Sequence, residues 1–192
     1  MAAGEAATLT PVFSPRGWEP DPRAWELPRM IALIDEAAHA VDVQVLTYKL
    51  TSRDHSAFPE LDAALRRAAG RGVAVRLMVS DWGTHKGAIE ALRALAQVPN
   101  VRVEVITIPP WSGGEVPFAR VSHAKYMVVD GAHAWIGSSN WEGDYFTKTR
   151  NVGVIVDGKA FGQRLDGVFE DGWRSAYAKA IDAGAQAPAS EP

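Results

Sequence analysis

A short stretch of the chain carries residue types spaced for chemistry on a phosphate ester. It reads His123-Ala-Lys125-Tyr-Met-Val-Val-Asp130, and after six further residues comes Gly137-Ser138-Ser139-Asn140. Residues two apart on a strand share a face, so His123 and Lys125 are expected to project together from the start of a strand. A neutral imidazole can attack phosphorus, while an ammonium and an amide offset the charge that builds on the non-bridging oxygens. His123, Lys125 and Asn140 are therefore the candidate catalytic residues. Lys125, Ser138 and Asn140 are the candidate phosphate ligands, because small residues around Gly137 and Ser138 let a phosphate approach backbone N–H groups. Ser139 is read as neutral. Asp130 precedes Gly131, a pair suited to a two-residue turn whatever the chemistry, so it is given a structural role, as is Gly137. The stretch holds neither an acidic cluster suited to Mg²⁺ nor paired histidines at zinc spacing, so no metal or other cofactor is expected.

The elements that must hold these residues follow from periodicity. Leu27, Met30, Ile31, Ile34 and Ala38 recur at helical spacing, and Val41, Val43 and Val45 then alternate as a strand. Pro59 to Ala69 reads as a second helix with Leu61, Ala64, Leu65 and Ala68 on one face, stopped by Gly70 and Gly72. A strand over Val73–Val79, a helix over Gly87–Ala96 and a strand through Val101, Val103 and Val105 complete a β-α-β-α-β pattern. Beyond the Pro-rich connection at Ile108 to Trp111, strands are expected over Ala124–Val129, His133–Ile136 and Asn151–Val156, the first two forming a hairpin. A final helix over Lys159–Tyr177 is expected to turn Phe161, Leu165, Val168, Phe169 and Trp173 inward. The result is an α/β domain, a mixed sheet flanked by helices on both faces, over residues 23–181. Residues 1–22 read as a flexible arm or linker and 182–192 as a disordered tail.

Bulk composition bounds the function. With 192 residues and 47% hydrophobic content, one ordinary domain can bury a proper core. The formal charge of -3 argues against a broad basic surface that holds long duplex DNA. Without cysteine, disulfides, thiolate–metal sites and a cysteine nucleophile are excluded. No apolar run approaches membrane-spanning length and no export signal is read, so a soluble chain, cytoplasmic by default, is expected.

The stretch from His123 to Asn140 resembles the signature of the phospholipase D superfamily, His-x-Lys-x4-Asp-x6-Gly-Ser-x-Asn, with every fixed position met. Leu61–Ala69, Arg71–Trp82, Pro117–His123 and Gly137–Phe146 look like the second half of the animal endolysosomal branch, whose members are named phospholipases and act as exonucleases on single-stranded nucleic acid. The resemblance implies a single phospholipase-D-like domain and a phosphodiester substrate, nucleic acid or phospholipid. It also implies two motifs per active site: one histidine forms a phosphohistidine and the other protonates the leaving group. This chain has one motif, so a homodimer or a second phospholipase-D-like half is implied as partner, with His123 nucleophile in one copy and general acid in the other. Pro11–Gly17 resembles the junction between the two halves. Many relatives carry an acid on the strand after the motif to orient the histidine; none stands around Asn151-Val-Gly153, so that task is expected to fall to another group.

Other candidates yield to plainer readings. Trp141, Tyr145 and Phe146 are read as core, His39, His55 and His133 lack useful spacing, and His85-Lys86 is a solvated helix start. Lys148 and Arg150 are nearly cancelled by Glu142 and Asp144. The competing function is a non-catalytic half-domain that binds phosphate-containing ligands or pairs with another such chain.

Overall fold

In the computed structural model, residues 6–182 are described, apart from 86, 115 and 118. Eight strands form one mixed sheet: β1 (Thr8–Ser14), β2 (Ala40–Val45), β3 (Ala74–Ser80), β4 (Val101–Ile106), β5 (Tyr126–Val129), β6 (His133–Gly137), β7 (Asn151–Asp157) and β8 (Ala178–Ala180). Their order across the sheet is β1-β7-β6-β5-β2-β3-β4-β8. β2, β3 and β4 are parallel to one another; every other pairing is antiparallel. The helices are α1 (Glu26–Glu36), α2 (Glu60–Gly70), α3 (Ala88–Ala96), α4 (Gly143–Thr147) and α5 (Lys159–Trp173).

Alternation along β2 explains why helices cover both faces. Val41, Val43 and Val45 pack into a core with Leu27, Met30 and Ile34 of α1, Leu61 and Leu65 of α2, and Leu92 and Leu95 of α3. Met78, Tyr126 and Val128 point the other way, against Phe169 of α5. On that second face Asp42 accepts from Arg76 Nε at 2.5 Å, and the same guanidinium reaches Glu170 of α5 at 2.5 Å and lies over the Phe169 ring at 4.9 Å. A charge that would be costly to bury alone is thus paired and covered.

Three expectations are corrected. Thr8–Ser14 is no arm: it forms edge strand β1, paired with β7 from Thr8↔Asp157 to Ser14↔Asn151. Pro11 disguises it, but a proline is tolerated on an edge, where its missing N–H is not called on by a second neighbour. The last helix ends at Trp173, and the chain turns back into short strand β8 beside β4. Along that helix Phe169 is fully buried, whereas Val168 is 56% and Phe161 37% exposed, so its apolar stripe is narrower than the spacing suggested. The tail expected from Asp182 lies almost wholly outside the described residues. Among the described residues no helix is long and apolar enough to cross a membrane.

Candidate active site

The hairpin of β5 and β6 carries the motif in the interior of the sheet, with the turn and the open end at opposite ends of the strands. β5 runs antiparallel to β2, with Tyr126 opposite Gln44, so the residues before β5 lie where parallel strands β2, β3 and β4 finish. Ligands in open α/β sheets gather at that end. Strand pairing begins at Tyr126 rather than Ala124, so His123 and Lys125 sit in the extended approach to β5, not within it. The approach is nonetheless fixed: Gly137 N–H donates to Lys125 O at 3.2 Å, and Gln44 Nε2 donates to Ser122 Oγ at 2.8 Å.

Lys125 is 8% exposed, and its ammonium turns towards His123, donating to the backbone oxygen at 2.8 Å and lying 3.2 Å from ring Nδ1. Burial pushes the ammonium below its ordinary pKa. Among the described residues no carboxylate comes within salt-bridge distance of it. His123 itself is exposed. A buried cation without an anion, beside an open imidazole, is an arrangement that an incoming phosphate would complete.

The Gly-Ser-Ser-Asn turn follows β6 and is pinned from both sides. Ser138 is exposed, but its N–H is taken by Val152 O at 3.1 Å and its hydroxyl donates to Asn151 Oδ1 at 3.0 Å. Trp141 N–H donates to Thr47 O at 3.1 Å and Lys49 N–H to Trp141 O at 2.8 Å, which ties the turn to the loop after β2. Asn140 is 4% exposed; its Nδ2 donates to Tyr145 Oη at 3.0 Å, and its Oδ1 is buried without a partner. Rotating the amide by a half-turn lets Tyr145 donate to Oδ1 and puts Nδ2, rather than the oxygen, at the buried position without a partner.

Asp130 stands at the other end of the hairpin. With Gly131 it makes a turn in which both residues have positive φ, 52° and 61°, as a tight hairpin requires. Its carboxylate accepts from the N–H groups of Ala38, His39 and Ala40 at 2.8–2.9 Å, clamping the α1–β2 connection. Partial burial raises its pKa, but the three donors prevail and hold it below the ordinary carboxylate range. Asp130 touches none of the other motif side chains in the hydrogen bonds it makes.

Reasoning from sequence missed a buried acid. Glu26, at the start of α1, is fully buried and accepts from Ser14 Oγ at 2.9 Å, Trp135 Nε1 at 2.9 Å and Ser139 Oγ at 2.6 Å. In sequence it stands only as an acidic residue in a first helical turn. The available signal was Gly153, where an acid was sought and a missing side chain leaves room for one from elsewhere. Two aromatics read as core are core: Trp141 is 1% exposed and Phe146 fully buried. Tyr145 is half-buried, and its hydroxyl holds the Asn140 amide. Lys148 is engaged by Asp54 at 2.6 Å and Asp144 at 3.2 Å, and Arg150 lies over Trp18 at 5.6 Å, so neither forms a basic patch.

Residues 30–173 match the protein family described as cardiolipin synthase, PLD-like domain. The chain belongs to the phospholipase D superfamily. It is 34% identical over 194 residues to human 5'-3' exonuclease PLD3, covering 93% of this chain and 38% of that protein. Phospholipase D Z of Dictyostelium discoideum is 34% identical over 161 residues, covering 81% of this chain and 38% of its own length. The chain thus spans little more than a third of the length of these curated relatives. Among solved structures, the phospholipase D family member Nuc from Salmonella typhimurium shares the fold with a TM-score of 0.68 at 20% identity, covering 91% of this chain and 98% of its own. NucT from Helicobacter pylori gives a TM-score of 0.70 at 18% identity, with 91% and 99% covered.

Proposed function

We propose that this chain is one half of a metal-independent phosphodiesterase, and that a second copy of the motif, supplied by a homodimer, completes its active site. A ring nitrogen of one His123 attacks phosphorus, and the bond to the leaving oxygen breaks as the second His123 gives that oxygen its proton. Water then attacks the phosphohistidine, losing its proton to the second imidazole, and the phosphorus–nitrogen bond breaks. Lys125 and Asn140 offset charge on the non-bridging oxygens throughout, without a metal ion. Ser138 borders the phosphate from the β7 side.

The observation that supports this most is Lys125, an ammonium taken out of water beside an exposed imidazole with no protein carboxylate to neutralise it. A structural lysine would be expected to reach solvent or an acid. The similarity to human 5'-3' exonuclease PLD3 supports nucleic acid over phospholipid as substrate. The test presents a labelled single-stranded oligonucleotide and phosphatidylcholine vesicles side by side, with EDTA present. Cleavage of the oligonucleotide, lost in His123→Ala, is expected. Cleavage confined to the vesicles would overturn the substrate preference, and full activity of His123→Ala the mechanism.

A second reading rests on the single motif and the short span relative to the curated relatives. In it the chain is a half-domain that binds phosphate-containing ligands or pairs with another phospholipase-D-like chain. A strict monomer in light scattering, inert towards both substrates, would favour it.

A further inference from the structure

Behind the motif the sheet carries a hole, and a carboxyl group fills it. The register aligns Gly137 with Gly153, while Gly137 N–H bonds to Lys125 O, so Lys125, Gly137 and Gly153 form one row across three neighbouring segments. The next row is Met127, Trp135 and Ile155, which face the α1–α3 core. By alternation Lys125 and the two glycines open to that same face. A Cβ at Gly153 would stand 2.6 Å from Glu26 Oε1 and 2.8 Å from Trp135 Nε1; one at Gly137 would stand 2.7 Å from the Trp135 ring and 3.1 Å from Glu26 Oε1. The two glycines are the space that Glu26 and the Trp135 indole occupy.

The Glu26 bonds run from the frame to the site. Oε1 takes the indole N–H of Trp135, which is fully buried in the core. Oε2 takes the hydroxyls of Ser14, at the end of β1, and of Ser139, which lies between Ser138 and Asn140. Ser139 is also fully buried, so its hydroxyl has no water to turn to. A simple packing role would be met by an apolar side chain, which avoids the cost of burying a carboxyl group; burial indeed pushes this carboxyl above its ordinary pKa against the pull of the three donors.

From this geometry we infer that Glu26 is a positioning residue of the active site, a buried acceptor that anchors Ser139 to the sheet and thereby sets where Asn140 meets a phosphate. The inference rests on the proposed phosphodiester site. Glu26 acts through Ser139 and touches no substrate. What matters is the hydrogen-bonded link to Ser139, and a neutral amide of the same shape keeps it: Gln at this position accepts from Trp135 through its oxygen and donates to both serine oxygens through its nitrogen.

The test uses the full chain with tungstate as phosphate mimic, its affinity read by calorimetry, alongside thermal melts and near-ultraviolet circular dichroism. Glu26→Gln is expected to bind within about threefold of the parent, whereas Glu26→Met, similar in size but unable to hydrogen-bond Ser139, binds at least about tenfold more weakly while remaining folded. In a phosphodiesterase assay the same contrast appears in kcat more than in KM, since a misplaced Asn140 fails charge that grows towards the transition state. Should Glu26→Met fail to fold, Ser139→Ala removes one end of the link and leaves Glu26 its other two donors; a loss of about fivefold or more in affinity is expected. Parental affinity in folded Glu26→Met or in Ser139→Ala overturns the role of Glu26, as does an equal loss in the Gln and Met variants. Failure of the parent itself to bind tungstate overturns the proposed site, and this inference with it.

Discussion

The two ends of the β5–β6 hairpin hold polar groups in opposite conditions. At the turn, both carboxylate oxygens of Asp130 are engaged by three backbone donors. At the open end, Lys125 is buried without an anion and Asn140 keeps a buried oxygen without a partner. Four strand residues separate them. A motif of fixed spacing therefore joins two conditions: one end secures the hairpin to the α1–β2 connection, and the other, the end proposed to take phosphate, carries polar groups without protein partners.

The contrast breaks most readily at the open end. His123→Ala is expected to lower turnover roughly a thousandfold or more with an unchanged melting curve, checked by steady-state kinetics and calorimetry. Asn140→Ala should cost roughly a hundredfold in kcat, again with the fold intact, since it removes one donor to the charge that builds on phosphate. The turn should behave in reverse: Asp130→Ala lowers stability by about 2–4 kcal/mol in urea unfolding, while kcat of the folded fraction stays within about threefold. A turnover loss in Asp130→Ala matching that of Asn140→Ala, at equal stability, would erase the distinction.

The Asp130 clamp also sets a pH dependence. Its folded pKa is lowered, so its contribution to stability is complete above the unfolded value near 3.9 and is lost as pH falls through the lower folded one. The gap in stability between the parent and Asp130→Asn should thus narrow as acid is added below about pH 4. The smallest effect is expected for Tyr145→Phe: a loss of a few-fold in kcat, because Asn140 keeps its place but loses the hydroxyl that orients its amide.

Periodicity made the parallel half of the sheet legible because Val41, Val43 and Val45, and the helices beside them, each bury one face. The motif was legible because its chemistry is local in sequence. Features that depend on distant segments were not. β1 carries Pro11 and leaves Leu9 65% exposed, so nothing in its own pattern announces a strand; its partner β7 lies more than a hundred residues away. Glu26 is separated from Ser139 by a similar stretch of chain, and only the fold shows that it fills the space above Gly137 and Gly153. The approach to β5 also departs from ideal pairing, since Lys125 bends its ammonium back to the His123 carbonyl rather than standing off a regular strand.

The most direct test of the central claim, that two copies of His123 make one active site, is the activity of mixtures. Parent and His123→Ala chains are unfolded together, refolded at fixed total concentration and assayed as the parental fraction is varied. If each site needs a histidine from both chains, activity falls as the square of that fraction, to about a quarter at an equal mixture. A linear fall, to about half, would contradict the account, because each chain would then carry a complete site of its own.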